Sequence, residues 1–260
     1  TTRKGGVGGV KAVRMHGRGG REVLVYEDAP DPTPGPGEVL VAVRACALNH
    51  LDIWVRKGVA GPDISLPHIL GADIAGDVVA LGAGVSGPTP GTPVLINPGI
   101  SCGTCRHCLS GRDNLCPRYR ILGAGPQGGY AELVAVPAAN VVPKPGRLSY
   151  TEAAAIPLVF LTAWHMLVGL AKLRPGETVL VWGAGSGVGS AAIQIARLLG
   201  ARVIATGGSE EKGQKAMELG AHAYIHHGRE DVLQRVKELT DRQGVQVVFD
   251  HVGAATWMTS

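Results

Sequence analysis

The apolar and polar positions of this 260-residue chain follow two different periods in its two halves. Beyond about residue 150, short apolar runs typical of buried strands alternate with segments in which apolar residues recur three and four positions apart, as on one face of a helix. The strands are predicted near residues 178–182, 202–206, 223–226 and 246–250, and the helices near residues 187–199, 209–219 and 229–242. This alternation predicts a doubly wound α/β fold with a parallel sheet. A complete sheet of this kind has about six strands, so we expect it to be incomplete on its C-terminal side.

The first half of the chain carries a different pattern, in which short alternating runs are separated by glycine and proline. Strands are predicted at residues 11–14, 39–45, 76–82, 92–96 and 130–136. Closely spaced strands of this kind predict a small antiparallel barrel. The change of pattern near residue 150 predicts two domains, which we expect at residues 11–150 and 151–260.

Charge and apolar length exclude two classes of partner. The net charge of +4 is small and spread along the chain, which gives no reason to expect nucleic-acid binding. The uncharged run at residues 153–171 barely reaches the length of a membrane span and contains Pro157, so a buried helix is the better interpretation. The polar segment Thr1–Gly9 has no apolar core and does not resemble a signal peptide. We therefore expect a cytoplasmic protein that does not enter a membrane.

A glycine-rich turn follows the first apolar strand of the second half. The strand Val179–Trp182 runs into glycines at alternate positions, and a helical pattern begins within the same turn. A strand, a glycine turn and a helix N-terminus together form a common binding site for a pyrophosphate. The alternative is a plain surface turn, but the next predicted strand arrives at the distance that a βαβ unit requires. The predicted dinucleotide contacts in this turn are Gly183, Gly185, Gly187, Val188 and Gly189.

Four of the five cysteines lie within fifteen residues, in the spacing C-x2-C-x2-C-x7-C. Four thiolates on a tight loop suit a closed tetrahedral zinc site of the structural kind, whereas disulfides are not expected in a reducing compartment. We predict this zinc lobe at about residues 98–120, with His107 outside the ligand set. The predicted ligands are Cys102, Cys105, Cys108 and Cys116.

Several segments taken together resemble the medium-chain dehydrogenase/reductases, the superfamily of zinc alcohol dehydrogenases and quinone oxidoreductases. The resemblance covers the chain from Lys11 to about Gly253, and it implies a GroES-like barrel followed by a Rossmann domain, an NAD(P)-dependent oxidoreductase activity and a homodimer or homotetramer. Besides the zinc lobe and the glycine turn, the segments that carry it are residues 45–52, 68–76, 161–164 and 247–253.

The resemblance also identifies positions at which this chain departs from the zinc enzymes. Members with a catalytic zinc supply two cysteines and a histidine, and these positions hold Asn49, Ala72 and Leu158 here. Cys46 lies three residues before the position of the first cysteine ligand, and we interpret it as a buried strand residue. His68 lies four residues before the position of the histidine ligand, and we interpret it as a satisfied loop histidine. Without a metal to activate an alcohol, the expected reaction is hydride transfer to a quinone, enone or aldehyde. The alternatives are a zinc-dependent alcohol dehydrogenase and a non-enzymatic relative that binds the cofactor.

The candidate catalytic residues lie in one short segment. Asn49 is expected to donate a hydrogen bond to the substrate oxygen, although a turn-capping amide is nearly as good an interpretation. His50 is the titratable group of this segment that can pass a proton near neutral pH, or else a surface histidine. Asp52 is expected to orient a neighbour or to support the loop. By the resemblance, Thr162 contacts the nicotinamide edge or caps its helix.

The cofactor is expected to be NADP(H), with NAD(H) as the alternative. NAD-binding proteins place an acidic residue at the end of the second strand, where this chain has Thr206 followed by two glycines. Ser209 and Lys212 resemble the phosphate-binding Ser-x-x-Lys of NADP-preferring reductases. His227 aligns with a tyrosine that packs on that phosphate in such reductases.

Overall fold

A computed structural model describes residues 9–61 and 64–260 of the chain. Almost all of the polar segment Thr1–Gly9, interpreted above as a tail, lies outside the described residues. The chain separates into two compact units, residues 1–158 and residues 159–260. No helix in the described part of the chain is long and apolar enough to cross a membrane.

The first unit is built from short strands that form antiparallel sheets. Its strands are β1 (Val10–Met15), β2 (Leu24–Ala29), β3 (Glu38–Ala47), β4 (His68–Ile69), β5 (Asp73–Leu81), β6 (Pro93–Ile96), β7 (Gly99–Ile100), β8 (Arg120–Ile121), β9 (Leu133–Pro137) and β10 (Val141–Pro143). The largest sheet has the order β10-β6-β5-β3-β9, and smaller sheets have the orders β2-β1-β4 and β7-β8. The inward residues of the largest sheet form an apolar core that includes Val41, Ile74 and Val134. This core holds β3 and β5 side by side, and the candidate catalytic segment lies at their ends.

Short helices connect these strands and lead into the second unit. They are α1 (His50–Lys57), α2 (Arg106–Leu109), α3 (Tyr150–Ala154) and α4 (Pro157–Trp164), with 3-10 turns at Arg21–Val23, Asp113–Leu115 and Ala138–Asn140 and a π-helical segment at His165–Leu170. Ser149 caps α3, because its side chain accepts a hydrogen bond from the backbone N–H of Glu152. The apolar run at residues 153–171 is not one helix, since it is divided at Pro157 and changes to the π form at His165.

The second unit is a parallel sheet with helices between its strands. Its elements are β11 (Thr178–Val181), α5 (Gly187–Leu198), β12 (Arg202–Gly207), α6 (Glu210–Glu218), β13 (Ala223–His226), α7 (Val232–Leu239) and β14 (Val247–Phe249). The strand order is β13-β12-β11-β14, with every neighbouring pair parallel. Apolar residues of β11, β12 and α5 form the main core, including Val181, Val203 and Ile193. The predicted α/β fold class is confirmed, and the helix predicted at residues 229–242 is shorter than expected.

Candidate functional site

The glycine turn joins β11 to α5 at the carboxyl end of the parallel sheet. Gly183 has a φ of +62°, which residues with a side chain rarely adopt. A Cβ atom on Gly189 would lie 2.3 Å from the carbonyl oxygen of Gly183, so α5 approaches the strand as closely as a backbone can. Ser186 caps the helix by accepting a hydrogen bond of 2.9 Å from the N–H of Gly189. The helix N-terminus that follows offers free N–H groups and a positive dipole end, which suits a phosphate.

Lys212 lies against this turn from the neighbouring helix α6. A Cβ atom on Gly185 would be 2.7 Å from Cδ of Lys212, so the aliphatic part of the lysine packs over the glycine. Ser209 caps α6, and its Oγ accepts from the N–H of Lys212 at 3.3 Å. Burial, followed by the neighbouring side chains of His226 and Lys212, lowers the pKa of His227. The predicted residues Ser209, Lys212 and His227 are therefore neighbours beside the glycine turn.

The acidic residues next to this group have other partners. Glu210 forms an ion pair with Arg229, and Glu211 forms one with Lys215. Within residues 9–61 and 64–260, the ammonium group of Lys212 makes no ion pair. An anion binding beside the glycine turn would meet an available positive charge at this point.

A cavity of about 450 Å³ lies at the carboxyl ends of β11, β13 and β14 in the second unit. Its lining includes Trp182, Gly183, His227 and Val252. The Trp182 and His227 rings lie 6.2 Å apart between centroids. An aromatic-lined cavity beside a phosphate-binding turn is suited to the base of a nucleotide.

His251, in the segment after β14, contacts the same turn and is not among the predicted site residues. Its Nε2 atom lies 2.8 Å from Oγ of Ser186, and burial lowers its pKa. The contact ties the segment after β14 to the helix N-terminus. Thr162, predicted to contact the nicotinamide, is a half-buried residue of α4.

The four clustered cysteines bring their sulfur atoms together, all within 4.8 Å of one another. The Sγ atoms of Cys102 and Cys108 are 3.8 Å apart, and those of Cys105 and Cys108 are 3.5 Å apart. Sulfurs at about 2.3 Å from a zinc ion in a tetrahedron are separated by about 3.8 Å, so the cluster fits zinc. His107 is not part of the cluster.

Arg118 supports the same cluster and was not identified from the sequence. Its backbone N–H donates to Sγ of Cys116 at 3.4 Å. Its guanidinium group lies against Cys102, and the N–H groups of Thr104 and this guanidinium lower the pKa of the Cys102 thiol to about 5. These donors favour the thiolate form that a metal binds.

The candidate catalytic segment begins α1, with Asn49 as its N-cap. The carboxylate of Asp52 is buried and accepts from the N–H of Asn49 at 2.7 Å, from the hydroxyl of Tyr130 at 2.8 Å and from the N–H of Gly71 at 3.2 Å. These contacts make Asp52 a support for the loop. His50 is exposed and its ring lies 6.1 Å from that of Trp54.

A cavity of about 300 Å³ in the first unit brings the three candidate catalytic residues together. Asn49, His50 and Asp52 line it with Tyr130 and apolar side chains such as Leu48. Leu48 is 84% exposed and Trp54 is 50% exposed, so the start of α1 presents an apolar surface next to Asn49. Such a surface suits an apolar or aromatic substrate.

Comparison with known proteins supports what the geometry indicates. The family model of the alcohol dehydrogenase GroES-like domain matches residues 35–146, and that of the zinc-binding dehydrogenases matches residues 187–260. An NAD-dependent alcohol dehydrogenase of Sulfolobus acidocaldarius is 37% identical over 94% of this chain and 71% of its own length. A quinone oxidoreductase of Pseudomonas aeruginosa is 36% identical over 96% of this chain and 69% of its own length. The chain belongs to the medium-chain dehydrogenase/reductase superfamily.

A solved structure of the superfamily has the same fold. The crystal structure of an NAD-dependent alcohol dehydrogenase superposes with a TM-score of 0.93, at 57% identity over 95% of this chain and 72% of that one. The predicted combination of a GroES-like domain and a Rossmann-type sheet is confirmed, as is the predicted class of oxidoreductase.

Two of the three positions expected to correspond to catalytic-zinc ligands, Asn49 and Leu158, contact a carboxylate of the segment 68–76 to which the sequence assigned no role. Asp73, at the start of β5, is 1% exposed. It accepts from Nδ2 of Asn49 at 2.9 Å and from the backbone N–H of Leu158 at 2.7 Å. Burial raises the pKa of Asp73 to about 6. Asp73 therefore links Asn49 and Leu158 to each other through its two hydrogen bonds.

The two residues set aside at this site both lie on strands, Cys46 as predicted and His68 in β4 instead of the expected loop. Cys46 is on β3, opposite Ile74 of β5, and burial raises the pKa of its thiol far above the ordinary range. His68 is buried, and its Nε2 is 3.0 Å from the carbonyl oxygen of Gly123. The interpretation of His68 as a satisfied histidine is confirmed.

Proposed function

We propose that this chain reduces quinones, enones or reactive aldehydes with NADPH, uses no catalytic zinc and carries one structural zinc. The observation that carries the proposal is the set of side chains at the catalytic-zinc positions. These positions hold the amide of Asn49, the methyl group of Ala72 and the isobutyl group of Leu158. Such groups cannot replace the two thiolates and the imidazole that bind a catalytic zinc. In this proposal residues 11–150 bind the substrate and residues 151–260 bind the coenzyme.

The missing metal ligands restrict the reaction. A zinc ion would polarise a substrate oxygen and stabilise an alkoxide. Acceptors that are already polarised by conjugation or by a second carbonyl need less help, and one hydrogen-bond donor is enough to stabilise the charge that develops on oxygen. Asn49 supplies such a donor from its side-chain amide. His50, exposed at the same cavity, is placed to deliver the proton that completes the two-electron reduction.

The residues beside the glycine turn favour the phosphorylated coenzyme. When bound, NADPH supplies the hydride. Lys212 offers a positive charge without an ion-pair partner in the described part of the chain, and the hydroxyl hydrogen of Ser209 is available because its Oγ acts as an acceptor within the helix cap. The end of β12 has no carboxylate to receive ribose hydroxyls, because its last residue is Gly207 and the next residue is Gly208. His227 lies beside Gly208, where it can pack against the phosphate.

The cysteine cluster is the proposed position of the single zinc. Four sulfurs leave no open coordination position for a substrate, so this ion would stabilise the lobe and take no part in the reaction. The zinc-dependent alcohol dehydrogenases remain the second candidate, because an alcohol dehydrogenase structure is 57% identical to this chain.

Metal content and acceptor choice distinguish the two candidates. We expect one zinc per chain by mass spectrometry, and NADPH oxidation with 1,4-benzoquinone or methyl vinyl ketone that exceeds the oxidation of ethanol or cyclohexanol with NADP⁺. Cys102→Ser should lose the zinc, whereas Cys46→Ser should retain it. Two zinc ions per chain, together with alcohol oxidation that stops on chelation while the fold persists, would establish the second candidate.

A further inference from the structure

The buried carboxylate of Asp73 has both of its oxygens occupied by N–H donors from distant parts of the sequence. Oδ2 accepts from the side chain of Asn49, 24 residues earlier, and Oδ1 accepts from the backbone of Leu158, 85 residues later. At 1% exposure this carboxylate has almost no access to water. Its hydrogen bonds therefore determine how the groups around it are arranged.

These contacts fix the orientation of the Asn49 amide. Because a carboxylate accepts and does not donate, the nitrogen end of the amide must face Asp73 and the oxygen end must face away. One of the two Nδ2 hydrogens is used in this contact. The other makes no hydrogen bond to any residue in the described ranges 9–61 and 64–260, and Asn49 lines the cavity of about 300 Å³ at the start of α1.

We propose that Asp73 is the positioning residue of this active site, holding the Asn49 amide so that its second hydrogen is directed to the substrate oxygen. Resting on the function proposed above, this inference assigns to a carboxylate the organising role that a metal has in zinc members. The carboxylate joins the two chain positions by accepting hydrogen bonds, whereas zinc would join them by binding their side chains.

The arrangement requires an ionised carboxyl group. Protonation removes the negative charge and makes the protonated oxygen a much weaker acceptor, so one of the two N–H contacts is weakened. The titratable groups near Asp73 are Asp52 from α1, Cys46 from β3 and Tyr130. Burial and, more weakly, the charge of Asp52 raise the pKa of Asp73, against the opposing effect of the two N–H donors, to about 6. The Asn49 amide should thus be held in place above this pH and released below it.

The kinetic test uses Asp73→Asn in the full chain, with NADPH and 1,4-benzoquinone. We expect kcat to fall by about 10- to 100-fold, less than the roughly 100- to 1,000-fold that loss of a whole oxyanion donor costs, while the KM for NADPH stays within about twofold. The wild-type kcat/KM should decline as the pH falls through about 6, and the decline should be absent in the variant. Asp77→Asn is the matched control, because Asp77 lies on the same strand and pairs with Arg44 and Tyr150.

A double variant separates positioning from a general effect on folding. If Asp73 acts through Asn49, then Asn49→Ala combined with Asp73→Asn should be no slower than Asn49→Ala alone. Multiplied losses in the double variant, or equal losses in Asp73→Asn and Asp77→Asn, would overturn the proposal.

A spectroscopic measurement on the wild-type protein does not depend on turnover. The two side-chain amide proton resonances of Asn49, assigned through their disappearance in Asn49→Ala, should shift with pH around a midpoint near 6. Amide resonances that do not titrate would overturn the proposal even if Asp73→Asn fails to fold. If the wild type reduces neither acceptor while these resonances do titrate, the proposed function fails and the Asp73–Asn49 contact stands.

Discussion

Lys212 provides the sharpest test of coenzyme choice, because its charge and its packing can be changed separately. Its aliphatic part covers Gly185, with Cγ, Cδ and Cε between 2.7 and 3.1 Å from where a Cβ on the glycine would lie. Lys212→Met keeps most of this packing and removes the ammonium group. We expect the variant to bind NADPH more weakly and to bind NADH as before, since only NADPH carries the additional phosphate.

The size of the effect follows from the exposure of the site. A hydrogen bond between charged groups contributes about 1.5–3 kcal/mol, and Lys212 is exposed, so solvent screening favours the lower end. About 1.4 kcal/mol corresponds to a tenfold change in affinity. We therefore expect the Kd for NADPH to rise roughly tenfold at low ionic strength, with a smaller factor as salt is added.

Fluorescence titration with each reduced coenzyme gives the two Kd values directly. Lys215→Met is the matched control, because Lys215 lies on the same helix but forms an ion pair with Glu211. An equal loss for NADH and NADPH would mean that the methionine acts through the turn and not through charge. Unchanged affinity for both coenzymes would refute the placement of the phosphate beside Lys212.

Two further substitutions test the zinc lobe and the glycine turn. Arg118→Gln should weaken zinc binding by roughly 10- to 100-fold in competition with a chromophoric chelator, because it removes an outer donor to a thiolate, whereas Arg112→Gln in the same lobe should not. Gly189→Ala should abolish NADPH binding and lower the free energy of unfolding by about 1–3 kcal/mol or more. The reason is that the Cβ atom of the alanine would lie 2.3 Å from the carbonyl oxygen of Gly183. Gly146→Ala, where the new Cβ meets nothing within 4 Å, should change neither property.

The features that the sequence predicted well are those whose partners are close in sequence. The glycine turn and its helix occupy the sixteen residues 183–198, and the four cysteines lie within fifteen. The local geometry of a turn, or the ligand preference of a metal, is enough to predict such a segment.

The elements that were missed depend on partners far along the chain. Strand β2 exposes Val25 and Tyr26 and pairs with β1, so its apolar residues do not alternate with polar ones as in a half-buried strand. Helix α1 is short, and the residues that start it were interpreted as a motif without secondary structure. Its first turn is held by Asp52, whose hydroxyl partner Tyr130 lies 78 residues later. No local period indicates contacts of that length.

Asp73 shows why the lack of zinc ligands at the expected positions could be inferred from the sequence, whereas the carboxylate that we propose takes the organising role of the metal could not. The absence of zinc ligands follows from three residue types, whereas the link between Asn49 and Leu158 requires knowing that both approach one buried carboxylate. The replacement also reverses the local charge. A zinc ion would attract a substrate alkoxide, but an ionised Asp73 repels one and disfavours its formation. A neutral carbonyl can still approach, because the amide of Asn49 stands between it and the carboxylate and presents a hydrogen to each. Because the same charge develops on oxygen when hydride reaches a carbonyl, this repulsion acts in both directions of the reaction, and it suits acceptors that spread the charge by conjugation or take up a proton in the same step.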